Sequence, residues 1–340
     1  MKNKTATVQA FGRLHFGLVN MSQTSDIING GAGAMISPPV FSVTAREATE
    51  VSAHPFEYYE EVVDVCECLG VCTAVSVSVH IDSIICWHIG LGFHTQLRMA
   101  IAAAICFALD LEIDTVNLSK KVLRGGTSGI GSLGFWSGGI LFDEGRKRPI
   151  VSDVFVPSVL ARDYDVSPLL YQKPDLPFFP VVVLPTGWDR IFGEQERQLF
   201  SKLTPIPKCQ AEETSLLVFG DLRSAVEKED FDGFCRAITA MSNVGFKKQE
   251  LSIRGDAATK VFELMTSLGL FGVGMSSWGP ACFGFVKSKK AAENIASELL
   301  KYPIVEAAWP ASFAEGATVQ INDGEKISAY TASMTKHCSQ

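Results

Sequence analysis

The stretch that decides the fold is His88-Ile89-Gly90-Leu91-Gly92-Phe93-His94-Thr95-Gln96-Leu97, where a glycine-rich loop runs directly into an apolar helix predicted over residues 95–109. Glycines at 90 and 92 let the backbone approach a ligand closely, and the first N–H groups of a helix have no partners within it. The positive end of the helix dipole makes phosphate a natural ligand there. The same stretch also fits an ordinary strand-to-helix turn capped by Thr95. It matches neither a Walker A motif nor a dinucleotide-binding fingerprint.

Length and composition predict a folded protein with two domains. The chain has 340 residues, 47% of them hydrophobic and 20% charged, and its mean hydropathy is +0.18. These values exclude the disordered, collagen-like and coiled-coil classes. The longest apolar run, residues 99–109, is shorter than the roughly 20 residues that cross a bilayer, and the N-terminus has no signal-peptide core. We therefore expect a cytoplasmic protein without membrane contacts.

Charge and cysteine content narrow the function further. The net charge is −7 and no Lys/Arg stripe is present, so we expect no nucleic-acid partner. The nine cysteines have no repeating spacing, which favours buried thiols. Cys66, Cys68 and Cys72 lack the second half of a zinc-binding motif. A local group of arginines and helix ends is still able to bind a small anionic substrate.

The order of the segments predicts an α+β fold. Residues 164–187 carry five prolines, which places the domain boundary there, with domains over 1–165 and 166–340. The first domain is predicted to be rich in strands, at 7–18, 40–44, 74–81 and 139–142, with helices at 95–109 and 117–123. The second is predicted to place helices on a small antiparallel sheet, with helices at 225–241, 257–268 and 290–300 and strands at 181–184, 270–274 and 282–286.

A second glycine-rich loop strengthens the case for an anion site. The segment Arg124-Gly125-Gly126-Thr127-Ser128-Gly129-Ile130-Gly131 supplies a cation, two hydroxyls and four glycines within eight residues. Successive glycine amides form anion-binding concavities, and a guanidinium neutralises charge in a forked geometry. Two weaker segments, at residues 29–33 and 274–280, are each more typical of a hairpin or loop when taken alone.

Taken together, these segments resemble the GHMP small-molecule kinase superfamily over nearly the whole chain. The resemblance implies an N-terminal domain like that of ribosomal protein S5 and a ferredoxin-like C-terminal domain. In many of those kinases a catalytic aspartate stands where this chain has Gly131, and serines stand where it has Phe93 and His94. Glycine cannot accept the proton of a substrate hydroxyl, so the resemblance to the kinases does not extend to their chemistry.

The motifs are more similar to a branch without kinase activity, the β-ribofuranosylaminobenzene 5′-phosphate synthases and related C-nucleoside synthases. The segments that carry this similarity are Arg13-Leu14-His15-Phe16-Gly17-Leu18, Gly30-Gly31-Ala32-Gly33, and the loops at 90–96, 124–131 and 276–280. The resemblance implies a transferase that couples phosphoribosyl pyrophosphate (PRPP) to an aromatic carboxylic acid. The products are a C-ribosylated aromatic, CO2 and pyrophosphate. The implied pathway is methanopterin synthesis or C-nucleoside antibiotic synthesis, and the sequence does not distinguish them.

The resemblance also implies roles for individual residues. The predicted catalytic residues are Arg13, His15 and His94. The predicted substrate-binding residues are Gly30, Gly31, Gly90, Gly92, Thr95, Gln96, Arg124, Gly126, Thr127, Ser128, Gly129, Ser276, Ser277 and Trp278. Mg2+ is expected to be held mainly by the pyrophosphate, its protein ligands are not assigned, and no organic cofactor is expected.

Several alternatives stay open from the sequence. His15 alternates with apolar neighbours as a core histidine does, and Trp278 fits ordinary packing. The loops around 92 and 126 are not assigned to one phosphate group or the other. An ATP-dependent kinase using Asp143 or Glu144, and a non-catalytic anion-binding protein, are the competing functions. A homodimer is expected.

Overall fold

The computed structural model describes residues 4–71, 76–82, 87–148, 155–157, 161, 164–322 and 327–331. Its first sheet is built on a long antiparallel hairpin of β1 (Thr5–Asn20) and β2 (Ile27–Ala48), paired from Thr5↔Arg46 to Asn20↔Asn29. Alternation of buried and partly exposed residues along the outer half of β1 gives one face to the core. Towards its end β1 is buried on both faces, because the second half of the protein covers it.

Ten strands form this sheet, and its main path runs β14-β13-β1-β2-β4-β3. The remaining members are β3 (Ser52–His54), β4 (Ser76–Ile81), β5 (Ile140–Asp143), β6 (Arg146–Lys147), β7 (Leu169–Lys173), β12 (Ser312–Phe313), β13 (Thr318–Asn322) and β14 (Ile327–Thr331). β3 and β4 are parallel. A short 3-10 turn (Phe56–Tyr58) and α1 (Tyr59–Leu69) connect them across the sheet.

The central helix of the first half is α2 (Phe93–Ala108), which packs across β1 and β2. Thirteen of its sixteen residues are buried, since the sheet lies on one side and α1, α3 (Leu118–Lys121) and α4 (Ile130–Ser137) lie around it. The predicted helix began at Thr95, but Gly92 in the left-handed conformation ends the loop and the helix begins two residues earlier.

A second, four-stranded antiparallel sheet has the order β11-β8-β10-β9. Its strands are β8 (Phe179–Pro185), β9 (Phe271–Met275), β10 (Cys282–Val286) and β11 (Val305–Pro310). The helices of this half are α5 (Gly193–Leu203), α6 (Lys208–Ser215), α7 (Arg223–Glu227), α8 (Phe231–Met241), α9 (Gly245–Ser252), α10 (Asp256–Ser267) and α11 (Lys289–Leu299), and a π-helical segment (Leu216–Leu222) joins α6 to α7. The predicted α+β class is confirmed.

One predicted helix, at 225–241, is wrong, because the chain breaks between α7 and α8. Glu229 has a φ of +57°, a conformation that interrupts a helix. Asp230 then starts α8 by accepting the backbone N–H of Gly233 at 3.0 Å. The apolar spacing continues across the break, which is why the pattern suggested one helix.

The two halves share a core, and strands of the second half join the first sheet. Phe16 of β1 packs against Phe283 and Phe285 of β10 and against Phe234 of α8, at ring-centroid distances of 5.5–6.2 Å. β7, β12, β13 and β14 lie beyond residue 166 and pair with the first sheet. The predicted division at 165/166 stays a prediction, and the pairing shows that the C-terminal segment returns to the first sheet.

Two further expectations concern cysteines and membranes. The described cysteines at 66, 106, 235 and 282 are buried, and those at 68 and 209 are not; no disulfide joins these six. Residues 72, 86 and 338 lie outside the described residues, so the three-cysteine segment is only partly seen. In the part of the chain that the structure describes, no helix has the length and apolarity needed to cross a bilayer.

Candidate active site

A cleft of about 280 Å³ opens where the two halves meet. Its walls come from β1, the loop that enters α2, the loop before α4, the start of α5, α9 and the loop between β9 and β10. The predicted residues that line it are Arg13, His15, Gly90, Gly92, His94, Thr95, Arg124, Thr127, Ser128, Ser277 and Trp278. Segments separated by more than 250 residues in sequence therefore converge on one cavity, with the uncapped N-terminus of α2 at its wall.

Arg13 is held against the entrance to α2. A Cβ on Gly92 would lie 2.6 Å from Cγ of Arg13, and the φ of Gly92 is +73°, so a side chain there is excluded on two grounds. Nη1 of Arg13 donates to the carbonyl of Gly90 at 3.2 Å. Burial lowers the pKa of Arg13 to about 10, with Glu250 and Glu196 acting in the opposite direction. The guanidinium is therefore a desolvated cation at neutral pH, placed beside the positive end of a helix.

His15 contacts the second glycine-rich loop. Its Nε2 is hydrogen-bonded to Oγ of Ser128 at 2.9 Å, and its backbone N–H donates to Oγ of Ser276 at 2.9 Å. Oγ of Ser276 in turn donates to the carbonyl of Gly90 at 2.7 Å. Burial, and then the charges of Arg13 and Lys247, hold the pKa of His15 well below its usual value. The imidazole is thus neutral at pH 7 and acts there as a hydrogen-bonding group.

A chain of four charged or polar side chains runs from α1 to the cleft. Oε2 of Glu61 accepts Nε2–H of His94 at 3.0 Å, and Nδ1 of His94 accepts from Nη2 of Arg124. Burial lowers the pKa of His94 despite the hydrogen bond that its Nε2–H donates to Glu61, so the ring is neutral and its tautomer is set by these two partners. Arg98 forms an ion pair with Glu61, to which it donates at 2.5 Å, and it also donates to the carbonyl of Val122 at 2.9 Å.

This chain of contacts fixes Arg124 at the cleft wall. Burial and the charge of Arg98 lower the pKa of Arg124 to about 10, and Glu61 opposes them. The hydroxyl of Tyr164 donates to the carbonyl of Arg124. Nε of Arg124 has no hydrogen-bond partner among the described residues, although it is buried. A buried guanidinium with an unused donor is suited to bind an anion.

The loop after Arg124 uses some of its polar groups internally. Oγ1 of Thr127 donates to the carbonyl of Val156 at 2.5 Å, and the N–H of Gly129 donates to Oδ2 of Asp143 at 2.5 Å. A Cβ on Gly126 would lie 2.3 Å from Cβ of Ala161, so that glycine permits close packing. Thr127 and Ser128 face the cleft, whereas Gly126 and Gly129 do not line it.

Four other predicted residues also lie off the cleft wall. Gly30 and Gly31 are in β2, and a Cβ on Gly31 would lie 2.1 Å from the carbonyl oxygen of Gly17. Gln96 is fully buried and donates from Nε2 to the carbonyl of Gly131 at 2.7 Å. Ser276 is also fully buried and bridges the two halves through its hydroxyl. For these four the structure shows packing or positioning contacts.

The second half contributes an aromatic wall. Trp278 is 4% exposed and packs edge-to-face on Phe200 and Phe246, with ring-centroid distances of 5.4 and 5.5 Å. It also lines the cleft, so both the packing and the site interpretations apply to it. At the mouth, Phe192 stacks on His88 at a centroid distance of 4.1 Å.

Two acidic residues of the cleft escaped the sequence analysis. Glu196 of α5 and Glu250 of α9 both line it, and Glu250 is ion-paired with the buried Lys247. Burial raises the pKa of Glu250, while Lys247 and Arg13 oppose that effect. Both acids lie on helices, α5 and α9, whose sequences carry no recognised binding motif. The proline-rich boundary at residues 164–187 precedes Glu196 in the chain, but it gives no indication that either acid faces the cleft.

The chain is similar in sequence and in fold to proteins that are already known. Residues 222–304 match the family model described as GHMP kinases C terminal. Among solved structures, homoserine kinase from Cytophaga hutchinsonii superposes with a TM-score of 0.66 at 16% identity, covering 93% of this chain and 97% of that one. Mevalonate diphosphate decarboxylase from Staphylococcus aureus gives 0.60 at 15% identity, covering 93% and 98%. The chain has the GHMP kinase fold.

Curated relatives with this fold include two archaeal proteins named β-ribofuranosylphenol 5′-phosphate synthase. The protein of Methanocaldococcus jannaschii is 28% identical over 87% of this chain and 94% of its own length. That of Archaeoglobus fulgidus is 28% identical over 81% of this chain and 86% of its own. The resemblance inferred from the motifs is thereby confirmed.

Proposed function

We propose that the protein is a C-glycoside-forming phosphoribosyltransferase that joins PRPP to an aromatic carboxylic acid with loss of CO2 and pyrophosphate. The observation that carries this proposal is the meeting of Arg13, Arg124 and the N-terminus of α2 with the aromatic wall of Trp278 in one cleft. Two guanidinium groups and free helix amides suit phosphoryl groups, and the indole suits a planar ring. The names of the curated relatives support the same reaction class.

In this reaction the protein has two main tasks, which are to position the two substrates and to stabilise the negative charge of the phosphate groups. Pyrophosphate leaves C1 of the ribose as positive charge develops there, and the ring carbon that bears the carboxylate attacks the same atom. Loss of CO2 then restores aromaticity. Arg124, preset by His94 and Glu61, stabilises the negative charge on the departing group without reorganising.

Arg13 and His15 suit the carboxylate of the aromatic acid or a phosphate. Arg13 offers a desolvated cation, and neutral His15 holds the hydroxyl of Ser128 at the cleft wall. An anion in contact with both keeps C1 and the ring carbon in line. One of the two glycine-rich loops is proposed to bind the 5′-phosphate of PRPP and the other its diphosphate. Binding of phosphate analogues to variants of each loop tests which loop binds which group.

Mg2+ is proposed to accompany PRPP and to neutralise charge on the diphosphate. In the described ranges no group of three or more His, Cys, Asp or Glu side chains is arranged to hold a metal ion. The proposal therefore assigns Mg2+ mainly to diphosphate oxygens, as is usual for an ion that retains most of its water. The protein groups around that diphosphate supply cations and amides.

The two carboxylates that the kinase alternative names, Asp143 and Glu144, do not line the cleft. Asp143 is fully buried and accepts from the N–H groups of Gly129 and Gly145 and from the hydroxyl of Ser167. Glu144 is exposed and is not part of the cleft wall. Neither side chain is placed to take a proton from a substrate hydroxyl in the cleft.

The test is incubation of the full chain with Mg2+, PRPP and single aromatic acids, including 4-hydroxybenzoate, 4-aminobenzoate and aminated pyrazole carboxylates. We expect CO2 and pyrophosphate in equal amounts with at least one acid. A reaction without any acid measures hydrolysis of PRPP alone. Absence of CO2 with every acid contradicts the proposal, and ADP formation from ATP with a small alcohol would support the kinase. The homodimer, the cytoplasmic location and the pathway stay predictions.

A further inference from the structure

Glu196 is the one cleft-lining acid on α5, and it faces charged groups from three other elements. Arg13 of β1, Arg124 of the loop before α4 and Glu250 of α9 line the same cleft as Glu196, and their charges act on its pKa. Trp278, in the loop between β9 and β10, lines the same cleft. The carboxyl is thus gathered with the phosphate-binding cations although it is itself an anion.

Its surroundings leave this carboxyl available to a ligand. Glu196 takes part in none of the ion pairs between described residues, whereas its helix neighbour Glu194 is paired with Arg197. The aromatic side chains of Trp278 and Phe200 lie in the same wall. Burial raises the pKa of Glu196 to about 7, with Trp278, Arg124 and Arg13 opposing and Glu250 adding to the rise. Both protonation states are therefore accessible near neutral pH.

We propose that Glu196 binds the hydroxyl or amino group of the aromatic acid and accepts its proton as the ring attacks C1 of the ribose. This assignment rests on the proposed function. A ring oriented by Arg13 at its carboxylate needs a hydrogen-bond acceptor for its electron-donating group. A phosphate oxygen is repelled by a carboxylate, so Glu196 also keeps the diphosphate out of the ring's place.

The proposed step is balanced in protons and electrons and needs no further reactant. As the C–C bond forms and the bond from C1 to pyrophosphate breaks, the hydroxyl oxygen becomes a carbonyl and its proton passes to Glu196. The carbon–carboxylate bond then breaks, CO2 leaves, and its electron pair returns to the ring. The oxygen takes the proton back from Glu196, giving a phenol and the original carboxylate. The relatives' name, which specifies a ribosylated phenol, describes the same kind of product.

The test compares wild type with Glu196→Gln, using Glu194→Gln as the matched control on the same helix. Each protein is assayed with PRPP, Mg2+ and either 4-hydroxybenzoate or 4-methoxybenzoate, which has an electron-donating oxygen but no proton to give. We expect E196Q to lower kcat with 4-hydroxybenzoate by on the order of a hundredfold or more, as loss of general acid–base catalysis does. The wild-type preference for hydroxy over methoxy should largely disappear in E196Q.

Two further readouts separate this role from a structural one. In wild type kcat/KM should rise with pH through about 7, because the carboxylate is the active form, and E196Q should lack that limb. The affinity of E196Q for PRPP, measured calorimetrically without the acid, should not fall below that of wild type, because the carboxylate repels the diphosphate rather than binding it.

Three results overturn the assignment. Equal activity of E196Q and E194Q does so while leaving the proposed function intact. Weaker PRPP binding, or a raised Mg2+ requirement with an unchanged hydroxy/methoxy preference, would assign Glu196 to the diphosphate and its metal instead. If wild type releases no CO2 from any acid, the proposed function fails and the role of Glu196 fails with it.

Discussion

Replacement of Glu61 by glutamine should destabilise the protein by about 2–3 kcal/mol at pH 7. Burial alone would raise the pKa of Glu61, but His94 and Arg98 outweigh it and lower the pKa from 4.5 to about 2. That shift corresponds to about 3 kcal/mol in favour of the ionised form in the folded state. The value is an upper one, because His94 is neutral and contributes a hydrogen bond rather than a full charge. The variant also leaves Arg98 buried with only Asp64 as a carboxylate partner.

The lowered pKa of Glu61 also determines how the stability of the protein depends on pH. Because the folded-state pKa lies below 4.5, the stabilisation is fully present above pH 4.5 and is lost as the pH falls through about 2. The gap in unfolding free energy between wild type and E61Q should therefore be constant from pH 7 to pH 5 and shrink below pH 4.5. Urea unfolding followed by tryptophan fluorescence measures it at each pH.

The matched control is Glu60→Gln, one residue earlier and exposed on the same helix. It should change the unfolding free energy by less than about 0.5 kcal/mol. Affinity for PRPP should fall in E61Q as well, because Glu61 sets the tautomer of His94 and thereby the hold on Arg124. An E61Q protein as stable as E60Q at pH 7, or a gap that stays constant down to pH 3, would refute this account of the network.

Three further changes probe the cleft. Arg124→Lys keeps the positive charge but loses the forked pair of donors of the guanidinium group. The affinity for PRPP, measured by calorimetry, should therefore fall at least about tenfold. An unchanged affinity would contradict the anion-binding role of Arg124. Gly92→Val places a side chain at a φ of +73° with its Cβ 2.6 Å from Cγ of Arg13; thermal unfolding should show a loss of about 1–3 kcal/mol, with PRPP binding impaired. Asp143→Ala leaves Gly129 and two other donors without their buried acceptor, which should cost about 3 kcal/mol or more, partly restored in Asp143→Asn.

The sequence predicted the parts of the site that depend on local backbone chemistry. Gly90 and Gly92 both adopt left-handed conformations ahead of α2, as a close approach of backbone to ligand requires. Arg124 reaches the same cleft because its loop precedes a second helix. Such features are visible because glycine, arginine and an apolar helix carry their signal within ten residues.

Long-range partners were not predictable in the same way. Gly129 lies in a glycine-rich loop, yet its amide is taken by Asp143, fourteen residues later and on another element. Glu196 and Glu250 look like any acids on surface helices, and only the fold brings them to the cleft wall. A sequence pattern indicates which hydrogen bonds a residue is able to form. The fold determines which partner it actually has.

The position of the carboxylates accounts for how one fold changes its chemistry. A Cβ on Gly131 would meet Cγ2 of Thr95 at 3.4 Å, an ordinary contact, so packing alone does not require glycine where the kinases carry aspartate. An acid there would stand beside the start of α2, where the proposed function has the diphosphate bind, and would repel it. Glu196, by contrast, lies on α5 and lines the cleft together with Trp278. A glycine at 131 together with Glu196 as the proposed proton acceptor suits a reaction that expels pyrophosphate and activates a ring.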